Sequence, residues 1–138
     1  MPKRVMLCDD EVFILRAAEI KLRRAGYEVR IAGDGEEAWR QIQAQTPDLL
    51  VTDCQMPRLD GLGLIRRLRD HPATHDLPVF MLTAKGFELP RDDLARQYNV
   101  LGVIAKPFSP RELLETIERV VGPAQSEQPE AARLAGAP

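Results

Sequence analysis

Leu49-Leu50-Val51-Thr52-Asp53-Cys54-Gln55-Met56-Pro57 is the stretch whose reading decides the fold. Three apolar residues and a threonine lead into Asp53, and Pro57 and Asp60-Gly61 follow it. An apolar run of this length between turn signals reads as a buried strand. Asp53 then stands where a buried strand runs out into a loop, and in open parallel sheets sites form at the carboxyl ends of strands. Taken alone, the same aspartate also suits a plain turn cap. Other stretches of the chain place reactive residues in an equivalent position and tip the balance.

Upstream, residues 4–8 form a short apolar run that ends in Asp9-Asp10-Glu11. This acidic triplet can cap the helix expected over 12–25, because anions favour a helix N-terminus. Ile14, Ala17, Ala18, Leu22 and Ala25 form its expected inner face, with Arg16, Lys21, Arg23 and Arg24 opposite. Gly26 ends it. Residues 27–31 alternate and read as a strand. Gly33-Asp34-Gly35 is a turn, and a helix over 35–45 follows with Ala38, Trp39 and Ile42 inward. Thr46-Pro47-Asp48 stops that helix.

Downstream, Leu62, Ile65 and Leu68 alternate with Arg66, Arg67 and Arg69 in an amphipathic helix ending near His71-Pro72. His71 and His75 have metal-ligand spacing only on a helix, and Pro72 argues against one; both read as solvated loop residues. Residues 78–83 form a fourth strand, ending in Thr83-Ala84-Lys85-Gly86. A short helix is expected over 91–98 and a fifth strand over 101–105, ending in Lys106-Pro107. The last helix spans 109–121, with Ser109 as N-cap and Pro110 at its first position. Leu113, Leu114, Ile117, Val120 and Val121 form its expected buried stripe. From Gly122 the composition turns to Pro, Ala, Gln and Glu, which cannot bury enough apolar surface to order itself. The reading is a domain over 1–121 and a disordered tail or linker over 122–138.

Five strands alternating with five helices make an α/β chain, its parallel sheet covered on both faces. At 138 residues, 44% apolar and 29% charged, the chain has the length of one domain and an ordinary soluble composition. A net charge of -2 gives no electrostatic case for direct nucleic-acid binding. No apolar run reaches membrane-spanning length, and Met1-Pro2-Lys3-Arg4 leads straight into a strand with no signal-peptide core. A cytoplasmic location and no membrane insertion are therefore expected. Cys8 and Cys54 lack zinc spacing and read as small buried hydrophobes.

In this architecture all strands end at one edge. Asp9-Asp10, Asp53, Thr83 and Lys106 then share one site: three carboxylates, a hydroxyl and an ammonium. Two carboxylates about 4 Å apart repel by roughly 4 kcal/mol at an effective dielectric near 20. One lysine offsets too little of this, and an all-oxygen set with room for water suits Mg2+. A cation, an attackable carboxylate, a hydroxyl donor and a lysine together suit phosphoryl transfer to an aspartate.

The motifs Cys8-Asp9-Asp10-Glu11, Asp53-x-x-Met56-Pro57-x-x-Asp60-Gly61, Leu82-Thr83-Ala84 and Lys106-Pro107-Phe108 occur in this order. In them the chain, over about 3–121, resembles the receiver domain of bacterial two-component response regulators. The resemblance implies a flavodoxin-like (βα)5 three-layer sandwich with sheet order 2-1-3-4-5. It implies Asp53 as phosphoacceptor, and Mg2+ held by Asp10, Asp53 and the backbone carbonyl of Gln55, with Asp9 acting mainly through a bound water. Thr83 and Lys106 would contact the phosphoryl group, with Cys54 and Ala84 in the loops that bind it. The implied donor is a phosphohistidine on a sensor histidine kinase or a histidine phosphotransfer protein, and the output is contact with a downstream protein the sequence does not name. Such a domain is not an enzyme in the usual sense; it catalyses only its own phosphorylation and slow autodephosphorylation. Lys106-Pro107 resembles the family's cis peptide.

Two departures stand out. The family usually carries an aromatic ring three residues before the lysine, where this chain has Val103. The positions that tune phosphoryl lifetime are Gln55 and Lys85 here. Two other readings compete. A haloacid-dehalogenase-like phosphatase needs a second acid where Gln55 stands, and a phosphorylation-independent adaptor is favoured by loss of an acid, Thr or Lys that this chain retains.

Overall fold

A computed structural model describes residues 2–84, 96 and 98–124. The strands are β1 (Arg4–Cys8), β2 (Glu28–Ala32), β3 (Leu49–Asp53), β4 (Val79–Thr83) and β5 (Gly102–Ala105). They form one parallel sheet of order β2-β1-β3-β4-β5. The described helices are α1 (Val12–Arg24), α2 (Gly35–Ala44), α3 (Gly61–Arg69) and α4 (Pro110–Val121). The helix expected over 91–98 lies largely outside the described residues; 96 and 98 are helical.

Period-two alternation along the strands builds two cores. Val5, Leu7, Leu49, Val51, Phe80 and Leu82 point to one face, where Leu15, Ala18 and Leu22 of α1 and Leu113 and Ile117 of α4 cover them. Met6, Cys8, Leu50, Val79 and Met81 point to the other, under Ala38 and Ile42 of α2 and Leu64, Ile65 and Leu68 of α3. β1, β3 and β4 are buried on both sides, which is why they read as continuous apolar runs.

The buried helix faces differ in part from those that periodicity predicts. α1 buries Leu15, Ala18 and Leu22, whereas Ala17 and Ala25 are exposed and Ile14 is half-buried. Both sets have helical spacing, and Leu15 rather than Ile14 takes the inward position over the sheet. The acidic triplet does not cap α1 through a side chain: Glu11 holds the N-cap position without such a bond. Asp9 turns inward, its Oδ1 accepting from Glu11 N at 2.9 Å. On α3 the buried set gains Leu64, while Leu62 is only half-buried. On α4, Leu113 and Ile117 are buried, Leu114 and Val121 half-buried, and Val120 exposed. Leu113 and Ile117 are the two residues of α4 that join the core it shares with α1.

The stops fall where turn chemistry puts them. Gly26 follows α1 with φ 102, and its N–H bonds to Arg23 O at 2.9 Å. Asp34, Asp60 and Ser109 cap α2, α3 and α4 with side-chain oxygens that accept from Glu37, Gly63 and Glu112 N–H groups. His71 and His75 are both exposed in the turn after α3, as the proline requires. The first packs its ring on Trp39, with centroids 4.7 Å apart.

Candidate functional site

Strand register assembles the site. Val5 pairs with Leu49 and Leu7 with Val51, so one further step of two residues sets Asp9 opposite Asp53. Asp53 pairs with Leu82 and Thr83 with Ala105 on the other side. Lys106 follows Ala105 directly and donates its backbone N–H to Thr83 O at 2.8 Å. The carboxyl ends of four strands thus bring together Asp9, Asp10, Asp53, Thr83 and Lys106.

Asp9, Asp53 and Thr83 are buried, whereas Asp10 is exposed. Lys106 Nζ lies 2.6 Å from Asp9 Oδ2, 3.3 Å from Asp53 Oδ1 and 3.8 Å from Glu11 Oε1. Asp53 Oδ1 also accepts from Cys54 N at 3.0 Å. The turn-cap role falls to Asp60, seven residues on. Burial, and then the charge of Asp9, push the Asp53 carboxyl above its usual range against the opposing pull of Lys106. Burial disfavours the Lys106 ammonium, but Asp9 and Asp53 together outweigh it and hold the lysine above its ordinary value.

Oxygens of Asp9, Asp10 and Asp53 all lie within 4.8 Å of one another. Asp9 Oδ2 is buried and makes no hydrogen bond of good geometry, although the ammonium is beside it. A buried oxygen with spare acceptor capacity, in a three-carboxylate set, fits a hard divalent cation.

The rims are built from loops. Cys54 is buried, and Gln55 and Ala84 are exposed. Lys85 lies outside the described residues. The Lys106–Pro107 peptide is cis. Val103 is half-buried and lines a cleft of about 290 Å3 with Phe108, Leu113 and Thr116. Cys8 is buried, and burial pushes its thiol up to about 12, which keeps it protonated and unreactive.

Glu11, which the sequence places in the acidic cap and in the Cys8-Asp9-Asp10-Glu11 motif, also faces Lys106. Asp34 and Arg58 were not singled out as a pair, yet they bond beside the site. The Asp-x-x-Glu spacing of Asp34 and Glu37 marks a helix start and could have drawn attention to the first. Nothing local marks the second.

The family description "Response regulator receiver domain" matches residues 5–118. The chain belongs to the response regulator receiver family. Receiver domains are signalling domains of two-component systems and are phosphorylated by histidine kinases. Among curated proteins, a probable transcriptional regulator ycf27 of Cyanophora paradoxa is 41% identical over 119 residues, covering 80% of this chain and 45% of that protein. The phosphate regulon transcriptional regulatory protein PhoB of Pseudomonas aeruginosa is 39% identical over 133 residues, covering 92% of this chain and 56% of that protein. The chain thus spans about half the length of the curated relatives it matches. Among solved structures, a response regulator from Chloroflexus aurantiacus superposes with a TM-score of 0.78 at 38% identity, covering 87% of this chain and 98% of that one. Chemotaxis protein CheY4 of Vibrio cholerae gives 0.79 at 29% identity, covering 88% and 100%. No helix among the described residues is long and apolar enough to cross a membrane.

Proposed function

We propose that this receiver is a phosphorylation-dependent switch in which Asp53 accepts a phosphoryl group from a phosphohistidine. The observation that carries the reading is Asp53 at a buried strand end, with Lys106 Nζ 3.3 Å from its Oδ1 and two further carboxylates in metal-binding reach. A carboxylate oxygen of Asp53 bonds to phosphorus as the phosphorus–nitrogen bond of the donor breaks, and the histidine, already carrying a proton on its other ring nitrogen, leaves as neutral imidazole. Lys106 and the Thr83 hydroxyl hold the phosphoryl oxygens, and backbone N–H groups around Cys54 and Ala84 complete that cradle. Asp10, Asp53 and the Gln55 carbonyl would hold Mg2+, with Asp9 acting mainly through a bound water. When bound, Mg2+ supplies the positive charge that offsets the carboxylates and the incoming phosphoryl group. Gln55 and Lys85 set how long the acyl phosphate survives. On α1, Val12 and Phe13 are exposed next to the acidic residues 9–11, and they offer the donor protein an apolar surface at the site's edge.

The test is intact-mass measurement after incubation with acetyl phosphate. One phosphoryl group is expected in Mg2+ and none in chelator. Asp10→Ala should weaken Mg2+ binding more than Asp9→Ala, because Asp10 is exposed while Asp9 is engaged by Lys106 and Glu11 N–H. Labelling undiminished in chelator, or the reverse order of affinities, refutes the cation role.

The signal leaves through Thr83 and β5 without an aromatic rotor. Val103 has one stiff torsion and no large alternative position. A ligand shifts an equilibrium only by its differential affinity for the two states, so a small residue gives a small shift. Adding beryllofluoride, a phosphoryl mimic, should move amide signals chiefly around Thr83 and the residues that follow it, and only modestly over 101–105. Large changes across β5 and α4, equal to those near Asp53, contradict this route.

A further inference from the structure

The loop between β3 and α3 is held in a conformation it does not favour. Arg58 has φ 68, and Leu59 N–H bonds back to Pro57 O at 2.7 Å. A two-residue hydrogen bond around a positive φ is the arrangement of the rarer, strained γ-turn. Such backbone persists only where its surroundings over-determine it. Here the surroundings are the start of α2. Arg58 Nη1 bonds to Asp34 Oδ2 at 2.5 Å, while Asp34 Oδ1 is already fixed by Glu37 N–H at 2.8 Å. Gly35 lies so close to the loop that an added Cβ would sit 2.0 Å from Leu59 O. Met56 Sδ meets Cys8 Sγ at 3.3 Å, and Cys8 Sγ also reaches Asp34 O at 3.4 Å. At its far end the loop closes on the site itself, where Gly61 N–H bonds to Cys54 O at 3.1 Å. A Cβ on Gly61 would stand 2.3 Å from Asp53 O.

We infer that the Arg58–Asp34 pair is a clasp that fastens the 54–60 loop to the start of α2 and so positions the Gln55 carbonyl for the divalent cation. This rests on the proposed cation role of that carbonyl. Arg58 is a positioning residue: it touches neither cation nor phosphoryl group. Its guanidinium is largely exposed, but its partner is not: the side-chain exposures are 67% and 13%. The pair therefore tunes affinity by a modest factor rather than deciding the fold. Without it the strained turn relaxes, and the carbonyl leaves the direction in which the carboxylates of Asp10 and Asp53 need a third ligand.

The experiment is a Mg2+ titration of the full chain by calorimetry, with no phosphoryl donor, on wild type, Arg58→Ala and Arg58→Lys. Loss of one partly exposed ion pair predicts that Arg58→Ala weakens Mg2+ binding roughly threefold to fivefold. Arg58→Lys, which keeps the charge, should recover most of that loss. Amide exchange in the Mg2+-free protein should rise over 54–60 in Arg58→Ala while β1 and α1 stay protected, a pattern that general destabilisation does not give. Arg58→Ala with wild-type affinity, or Arg58→Lys as weak as Arg58→Ala, overturns the clasp. A wild-type chain that binds no Mg2+ overturns the clasp and the cation site together. A chain that binds Mg2+ yet is never labelled by acetyl phosphate refutes the acceptor reading, and the affinities still decide the clasp.

Discussion

Asp53→Ala is expected to gain no phosphoryl mass under conditions where the wild-type chain gains one. Two other carboxylates stand within 4.8 Å, so the outcome is a real discrimination. Asp9 is fully buried, its Oδ2 facing Lys106 and its Oδ1 bound to Glu11 N–H, so an incoming phosphorus has no line to it. Asp10 is open to solvent and far less desolvated. Asp53 shares burial, the ammonium and a backbone donor with Asp9, but its side chain keeps 8% exposure where that of Asp9 keeps none. Loss of label must be separated from loss of fold. Burial and the charge of Asp9 raise the Asp53 carboxyl, so its folded value lies above its unfolded one. An acid shifted that way works against folding once the pH passes its folded value, where the ionised form is the unfavourable one. In chelator at neutral pH the variant should therefore melt no lower than wild type. Equal labelling of Asp53→Ala and wild type defeats the acceptor assignment.

The sheet was legible because burial on both faces writes itself as uninterrupted apolar runs, and Asp9, Asp53, Thr83 and Lys106 mark where those runs stop. Parallel topology then does the rest, since it carries every such end to one edge. The rotation of each helix was less legible. For α1, Ile14-Ala18-Leu22 and Leu15-Ala18-Leu22 are both sound helical spacings, and only the shape of the sheet below decides for Leu15. Val120 fits the periodicity of the α4 stripe yet is exposed, because periodicity does not say how much of a helix face is covered. Pairings across the chain were legible only where a motif announced them. Lys106 with Asp9 followed from strand order, while Arg58 with Asp34 spans 24 residues and rests on a γ-turn that no local pattern signals.

Lys106→Ala is expected to be the most damaging single change that leaves the chain foldable. Among the described residues the lysine is the cation paired with both buried carboxylates, and its side chain is 12% exposed. Removing one partner of a buried pair leaves the other charge uncompensated, at a cost of about 3 kcal/mol. At this chain length that corresponds to a fall in Tm of roughly 10 °C in chelator. Burial and the charge of Asp9 already raise the Asp53 carboxyl, so its protonation relieves part of the strain at acid pH and the deficit should shrink as the pH is lowered. Mg2+ should restore much of the lost stability, because it places positive charge among the same oxygens and binds only the folded state. It cannot replace the donor aimed at the phosphoryl oxygens, so labelling by acetyl phosphate should stay about a hundredfold slower even in saturating Mg2+. Thr83→Ala should be impaired less, since a neutral donor contributes less than a charged one. Melts with and without Mg2+, combined with a mass time course, separate the two roles. If Lys106→Ala melts with wild type in chelator, the ammonium is not what holds the carboxylates together. If it labels at the wild-type rate, it does not hold the phosphoryl group either.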